Sequence, residues 1–372
     1  MLGRLAGEEE FDLVVVGGGA TGSGVALDAA TRGLKVAMVE RDDWGAGTSA
    51  RSTKLLWAGS RYLVQALVKL FSPASLLAPR SSIAAFASEF KMVLNCHRER
   101  TFLLQKQEHL THWVPIAVPM DRWLLWPPPF NYPPALLGPF GLFYAFFKFY
   151  DALSGFQVPP SHIMTKERTL RKFPQLDDKV KYCCVFYEGQ HNDSRTNVAI
   201  ALTAAEKGAA VANYAEVTEV LRENENNSGR VTGVRVVDRA PGGGGGKVFD
   251  VRGKVVMFCG GPFTDELRNI EAQEEEEVSS GSSGGGGGKS KTKTKLERAV
   301  MGASGIHVVL PGFYAPKGIG MVDMATSDGR FLFFLPWLGH TVVGTTDTPC
   351  EEPSMRPVPS EAEISWVINE VG

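Results

Sequence analysis

Cysteine is scarce in this 372-residue chain: five residues, Cys96, Cys183, Cys184, Cys259 and Cys350, with no C-x-x-C pair among them. An odd set without that spacing argues against a disulfide scaffold and against a zinc site, so no metal is expected and a reducing or redox-neutral setting fits. A basic excess is also missing. Lys and Arg number 39 against 41 Asp and Glu, a formal net charge of −2, which gives no reason to expect a nucleic-acid partner. The amino terminus lacks a targeting pattern: residues 1–10 read as a short tail with three glutamates, whereas a mitochondrial presequence is longer, arginine-rich and poor in acids. Residues 123–147 lack charge altogether, and by length alone they could span a membrane. Pro127, Pro128, Pro129, Pro133, Pro134 and Pro139 exclude one spanning helix, because proline breaks the helical hydrogen-bond ladder.

What is present is a globular composition, 44% hydrophobic and 22% charged. The length suggests about two domains. Glycine is in excess at 41 residues, partly in runs at 242–246 and 284–288 that read as solvent-exposed filler. Residues 272–295 combine glutamates, a Gly/Ser tract and alternating Lys with Ser/Thr. Such a stretch buries too little apolar surface to order itself, so it is expected to be a disordered insertion.

Along the chain, an apolar run at residues 11–16 has strand length and stops at Gly17-Gly18-Gly19. A helix is expected over about 22–32, closed by Gly33, then a strand over 35–40. This βαβ unit implies a parallel sheet with a right-handed crossover. Residues 62–112 read mostly as helix and 197–209 as an amphipathic helix. Strands over 211–222, 230–239 and 247–251 form an antiparallel meander, followed by a buried strand over 254–258. Further strands are expected at 305–310, 331–335 and 341–344. A last helix opens with a capping box, Ser360 with Glu363.

The chemistry is carried first by Gly17-x-Gly19-x-x-Gly22, between strand and helix. The first glycine allows the tight turn, the second lets backbone approach a pyrophosphate, and the third lets helix pack on strand. The pyrophosphate would lie at the positive helix end. Glu40, ending the second strand, is placed for a ribose hydroxyl, which favours FAD or NAD over NADP. A polar loop, residues 41–54, follows directly where an NAD domain usually continues with another βα unit. A Ser/Thr-rich loop returning to the cofactor suits FAD.

The runs VVVGGGATGSGVALDAATRGLKVAMVERDD, GTSARSTKLLWAGSRYL, YEGQHNDSRTNVAIALTAAEKGAAVANYAEV, GPFTDELR, SGIHVVLPGFYAPKGIGMVDMATSDGRFLFFLPW and GTTDTP resemble, in order, the FAD-dependent glycerol-3-phosphate dehydrogenases of the mitochondrial type. The resemblance implies a mixed α/β fold: a Rossmann-like FAD-binding domain of the two-dinucleotide-fold type with an interleaved antiparallel-sheet substrate domain. Within residues 11–372, FAD-binding parts are expected at about 11–70 and 190–265, and substrate-domain parts at 71–189 and 296–372. It implies oxidation of sn-glycerol 3-phosphate to dihydroxyacetone phosphate by hydride transfer to flavin N5. Electrons would pass to a membrane quinone, at the mitochondrial inner membrane. The implied cofactor contacts are Gly17, Gly18, Gly19, Thr21, Gly22, Glu40, Arg41, Thr48, Ser49, Ser52, Thr53, Lys54, Val217, Gly260 and Gly261. His307 matches a family histidine and suits a base. Arg61 and Tyr62 match a substrate-facing pair, the guanidinium fork suiting a phosphate, and Thr345 and Thr346 lie in a strand-end motif near the site.

Departures from the family are equally legible. Trp57 and Ala58 stand where the family has His-Gly, and Cys259-Gly260-Gly261 stands for Ala-Thr-Gly. The Gly-x-Arg-Pro and Gly-Gly-Lys-x-Thr-Thr motifs are not found. A flavin oxidase using oxygen and a non-catalytic FAD-binding paralogue therefore stay open. The aromatic, charge-free residues 123–147 are expected to lie on one leaflet of a bilayer as a peripheral anchor.

Overall fold

The computed structural model describes residues 1–70, 79–121, 142–223, 229–242, 246–280, 296–324 and 326–371. They divide into two compact units, one of Met1–Ser52, Asp193–Ala303 and Pro349–Pro357, the other of Thr53–Asn192, Ser304–Thr348 and Val358–Gly372. The first crossover thus falls at Ser52/Thr53 rather than near residue 70, because Leu55–Leu56 pairs with Gly189 and Gln190 in the second unit's sheet. The first unit also holds residues 266–303 and 349–357, beyond the expected FAD-binding parts.

The sheet of the first unit runs in the order Ala210–Ala212, Val36–Val39, Phe11–Val16, Val248–Phe258, Val231–Asp238, Ala215–Arg222. Its first four members are parallel neighbours and the last three make the antiparallel meander. Alternation along Phe11–Val16 feeds two cores. Leu13 and Val15 meet Ala26, Ala29, Ala201 and Ala204 of the helices Ala20–Thr31 and Asp193–Glu206, whose small side chains let them pack closely. Val14 and Val16 meet Val217, Val234, Val236 and Phe249 on the other face.

The structure corrects several expectations. The helix begins at Ala20, two residues before Gly22, with Gly19 as its cap. Residues 247–251 and 254–258 are one strand, Val248–Phe258, antiparallel at one end and parallel at the other. Gly253 sits at the change of partner, where a β-carbon would stand 2.5 Å from a Val14 methyl. The expected strand 211–222 is broken at Asn213-Tyr214, where Tyr214 takes φ 53°. Residues 1–10 are more than a tail, since Leu5 of the turn Leu2–Leu5 is buried in the core. The helix Thr264–Ser280 runs through Ala272 and the glutamates, which are good helix formers. Residues 281–295 of the expected insertion lie outside the described residues.

The second unit is built on a sheet ordered His307–Pro311, His340–Gly344, Leu332–Trp337, Gly320–Asp323, Thr111–Met120, Tyr182–His191, Leu55–Leu56, with His162–Thr165 also on Tyr182–His191. Helices Ser60–Leu70, Pro79–Lys106 and Leu142–Leu153 contribute Leu63, Val93, Phe147 and Tyr150 to its core. Residues 122–141, most of the charge-free stretch, lie outside the described residues.

Candidate functional site

In the first unit a cavity of about 250 Å³ lies at the carboxyl ends of the parallel strands. The glycines shape it. Gly17 takes φ +114°, and a β-carbon there would stand 2.4 Å from the Cys259 carbonyl oxygen. A β-carbon on Gly22 would stand 1.8 Å from the Gly17 carbonyl oxygen, so helix and strand approach only because both positions are glycine. The helix Ala20–Thr31 has no acidic residue in its first turn and no side-chain cap of its own. Its positive end faces the cavity through Ala20 and Thr21, as an anion requires.

Glu40 accepts from two backbone donors, Gly18 N–H at 2.6 Å and Asp42 N–H at 2.8 Å, and it also lines the cavity. These bonds fix its rotamer and leave each oxygen a further lone pair for a hydroxyl. Ser49 Oγ accepts from Ala20 N–H at 2.9 Å, which anchors the 3₁₀ turn Thr48–Ala50 to the helix start. Arg41 spreads over the Phe263 ring at 4.9 Å and meets Glu266 at 3.1 Å. Of the expected cofactor residues, Gly17, Gly19, Thr21, Glu40, Arg41, Thr48, Ser49, Val217, Gly260 and Gly261 line this cavity. Gly18, Gly22 and Ser52 are not among its lining residues. The Ser52 backbone N–H and hydroxyl both donate to Asp193 Oδ2 at 2.8 Å. Thr53 and Lys54 belong to the second unit.

Asp193 and Asn197 were not singled out in the sequence, although HNDSRTN lies within a family-like run. Asn197 donates to the Gly18 carbonyl at 2.8 Å. Phe263, Glu266 and Leu267 line the far wall and lie in or beside GPFTDELR, so they were findable. Met355 also lines the cavity and has no local signal, since a distant segment brings it there.

In the second unit, His307 Nε2 lies 3.0 Å from Thr53 Oγ1. His307 pairs with Gly344, whose φ is +158°, and a β-carbon on Gly344 would stand 2.7 Å from the imidazole Cδ2. Thr346 is buried, and its hydroxyl accepts from Ile306 N–H at 2.9 Å and donates to Glu363 Oε1 at 3.0 Å. It therefore braces the start of the His307 strand. Thr345 donates to the Thr346 carbonyl at 2.7 Å. Glu363 is held below the usual carboxylate range, chiefly by the Ser360 hydroxyl. Lys54 takes φ 66°, and its carbonyl accepts from His191 N–H at 3.0 Å. Arg61 lies in the helix Ser60–Leu70, its side chain outside the described part. Tyr62 is 47% exposed with its ring 6.1 Å from that of Trp57, whose indole N–H donates to Ser60 Oγ.

Ala58 is fully buried, and its N–H donates to Glu188 Oε2 at 3.3 Å. Glu188 forms a buried ion pair with Arg100 and accepts from Tyr150 Oη at 2.6 Å. Burial pushes the Glu188 carboxyl up against the opposing pull of Arg100, and burial also raises Tyr150. His97 Nδ1 lies 3.1 Å from Arg100 Nη2, and burial with that cation pushes its pKa down to about 3. The extra methyl of Ala58 thus packs into the core cluster with Leu63 and Val93.

A family model described as FAD dependent oxidoreductase matches residues 12–371. The mitochondrial glycerol-3-phosphate dehydrogenase of Homo sapiens is 40% identical over 371 residues, covering 99% of this chain and 44% of that protein. The Schizosaccharomyces pombe protein of the same name is 34% identical over 97% of this chain and 49% of its own length. The chain therefore spans less than half the length of these relatives. Among solved structures, the glycerol-3-phosphate dehydrogenase of Bacillus halodurans complexed with FAD aligns with TM-score 0.62 at 22% identity, over 99% of this chain and 53% of that one. The FAD-bound L-alpha-glycerophosphate oxidase of Mycoplasma pneumoniae gives TM-score 0.57 at 12% identity, over 97% and 77%. At those identities the likeness concerns the fold.

Proposed function

Because the chain belongs to the FAD-dependent oxidoreductase family, we propose that it holds FAD in the glycine-walled cavity and serves the oxidation of sn-glycerol 3-phosphate to dihydroxyacetone phosphate. The observation that carries the cofactor reading is the Gly17–Gly22 cradle, where a β-carbon at either end would collide with backbone. The residues fit the group: Ala20 and Thr21 offer a helix start to the pyrophosphate and Glu40 offers lone pairs to a ribose. Bound FAD supplies a two-electron acceptor. The chain's own residues do the rest. His307, oriented by Thr53, takes the proton of the substrate hydroxyl at Nε2 or by exchange through that threonine. Arg61 with Tyr62 holds the phosphate, and Thr345 and Thr346 keep the His307 strand in place. The electron acceptor is a membrane quinone, and the setting is the periphery of the mitochondrial inner membrane, in keeping with relatives named mitochondrial. No helix among the described residues is long and apolar enough to cross a membrane. Of the stretch 123–147 expected to dock on one leaflet, Phe147 is instead buried in the core, and residues 123–141 lie outside the described residues.

A second reading, FAD binding without turnover, is favoured by Trp57, whose indole stands where the family has histidine. One experiment separates the two. Purified protein should carry a flavin band near roughly 450 nm, and anaerobic sn-glycerol 3-phosphate should bleach it. A band that does not bleach leaves the second reading; saturable NAD binding with no FAD removes both.

A further inference from the structure

The turn between the strands Leu332–Trp337 and His340–Gly344 is Leu338-Gly339, and both residues sit at positive φ, 47° and 83°. Two-residue hairpin turns of this kind favour Asn-Gly or Asp-Gly, because a β-carbon without a local hydrogen bond is strained there. Leucine is a poor choice for the turn itself. At 81% exposure, packing within the unit does not account for it either. A second turn lies against the first: a β-carbon on Gly312 would stand 2.2 Å from the Gly339 carbonyl oxygen. The next residue, Phe313, is 77% exposed, with its ring stacked on Tyr314 at 4.8 Å. On the adjoining edge strand His307–Pro311, Val309 is 63% exposed.

An exposed cation lies near these turns along the chain. Lys317 is exposed just beyond Tyr314. Gln175 donates to the Tyr314 carbonyl at 3.1 Å, so the segment that follows the helix Lys166–Lys172, with its exposed Arg171 and Lys172, reaches Tyr314. The nearby acids Asp177 and Asp178 are matched by Lys179 and Lys166.

We propose that this tip is a lipid-docking site: Phe313 and Leu338 enter the boundary between headgroups and acyl chains while Arg171, Lys172 and Lys317 meet anionic headgroups. Two adjacent turns with exposed apolar side chains suit an interface that closes around them, and the half-buried Tyr314 and Trp337 next to them in the chain are of the type that settles at headgroup level. The basic rim answers the negative surface potential of such membranes. The proposal does not depend on the redox reading.

Vesicle flotation tests it. The whole chain should float with phosphatidylcholine–phosphatidylglycerol vesicles and less with phosphatidylcholine alone. Phe313→Ser with Leu338→Asn should lower the floated fraction about tenfold, as loss of buried apolar contact at an interface does. Leu338→Asn alone should raise the thermal midpoint or leave it unchanged, since asparagine tolerates this turn, so its loss of flotation is not unfolding. Trp123→Ser with Trp126→Ser and Phe130→Ser separately tests the other segment. Flotation of the Phe313/Leu338 variant equal to wild type overturns the proposal, as does failure of the wild type to float. If lipid-free protein is dimeric by light scattering and this variant is monomeric, the tip is a protein interface and the proposal is also wrong.

Discussion

Asn197 donates its side-chain amide to the Gly18 carbonyl at 2.8 Å and so ties the second long helix of the first unit to the glycine turn. The same carbonyl accepts from Gly45 N–H at 3.2 Å and Ser23 Oγ at 3.3 Å. Asn197→Ala removes one of three such bonds. FAD affinity should weaken about five- to tenfold, the equivalent of about 1 kcal/mol, in a fluorescence titration. Unchanged affinity would show that the turn holds itself.

Gly22 and Gly24 lie on the same helix and should respond oppositely to alanine. Gly22→Ala drives a β-carbon into the Gly17 carbonyl and should abolish FAD retention. Gly24 has nothing within 4 Å of its β-carbon position. Gly24→Ala should stabilise by about 0.5–1 kcal/mol through helix propensity, measured by denaturant unfolding.

Chemistry should divide between His307 and Arg61. His307→Ala should lower kcat by about 10²–10⁴-fold, as loss of a base does. Thr53→Val, which removes the hydroxyl at 3.0 Å, should lower kcat less. Arg61→Ala should act on KM, since a charge-assisted contact contributes about 1.5–3 kcal/mol. Steady-state kinetics decides; equal small effects at His307 and Arg61 would remove both from the site.

Acid should weaken the second unit through His97. Its pKa falls from 6.5 unfolded to about 3 folded, so the unfolded chain binds the proton first. The neutral ring's contribution is fully present above pH 6.5 and is lost as pH falls toward 3, on the order of a few kcal/mol. Arg100 and Tyr150 face the ring, and both are bound to Glu188; burial raises Glu188 and so works with the opposite sign over its own range. His97→Gln should flatten the acid limb of thermal midpoint against pH, and an unchanged limb would assign acid sensitivity elsewhere.

The dinucleotide half was legible because its signals are local. Gly17, Gly19, Gly22 and Glu40 lie on one βαβ unit, and the capping box closes as expected, Ser360 Oγ to Glu363 Oε2 at 2.8 Å. In the second sheet, Leu332–Trp337 and His340–Gly344 match expected strands, but the long strand Thr111–Met120 was not legible. Thr111–Met120 carries Pro115 and Pro119, which argue against a central strand. They are accommodated because its parallel neighbour pairs only at Ile116 and Ala117. Nor could sequence place Met355 in the cavity or Thr53 beside His307, since both are contacts between distant segments.

The strand Val248–Phe258 serves two ladders, antiparallel to Val231–Asp238 before Gly253 and parallel to Phe11–Val16 after it. Neither ladder can open at this strand without loosening the other. Its amides should therefore exchange with solvent deuterium in one slow class from Val251 through Val256, not as a protected parallel half and a labile meander. The glycine turn proposed to hold the pyrophosphate follows directly from Phe11–Val16. Its rigidity would then be set partly by the meander, so a cavity made at Val234 or Val236 should speed exchange at Gly17 while leaving every cradle contact chemically intact.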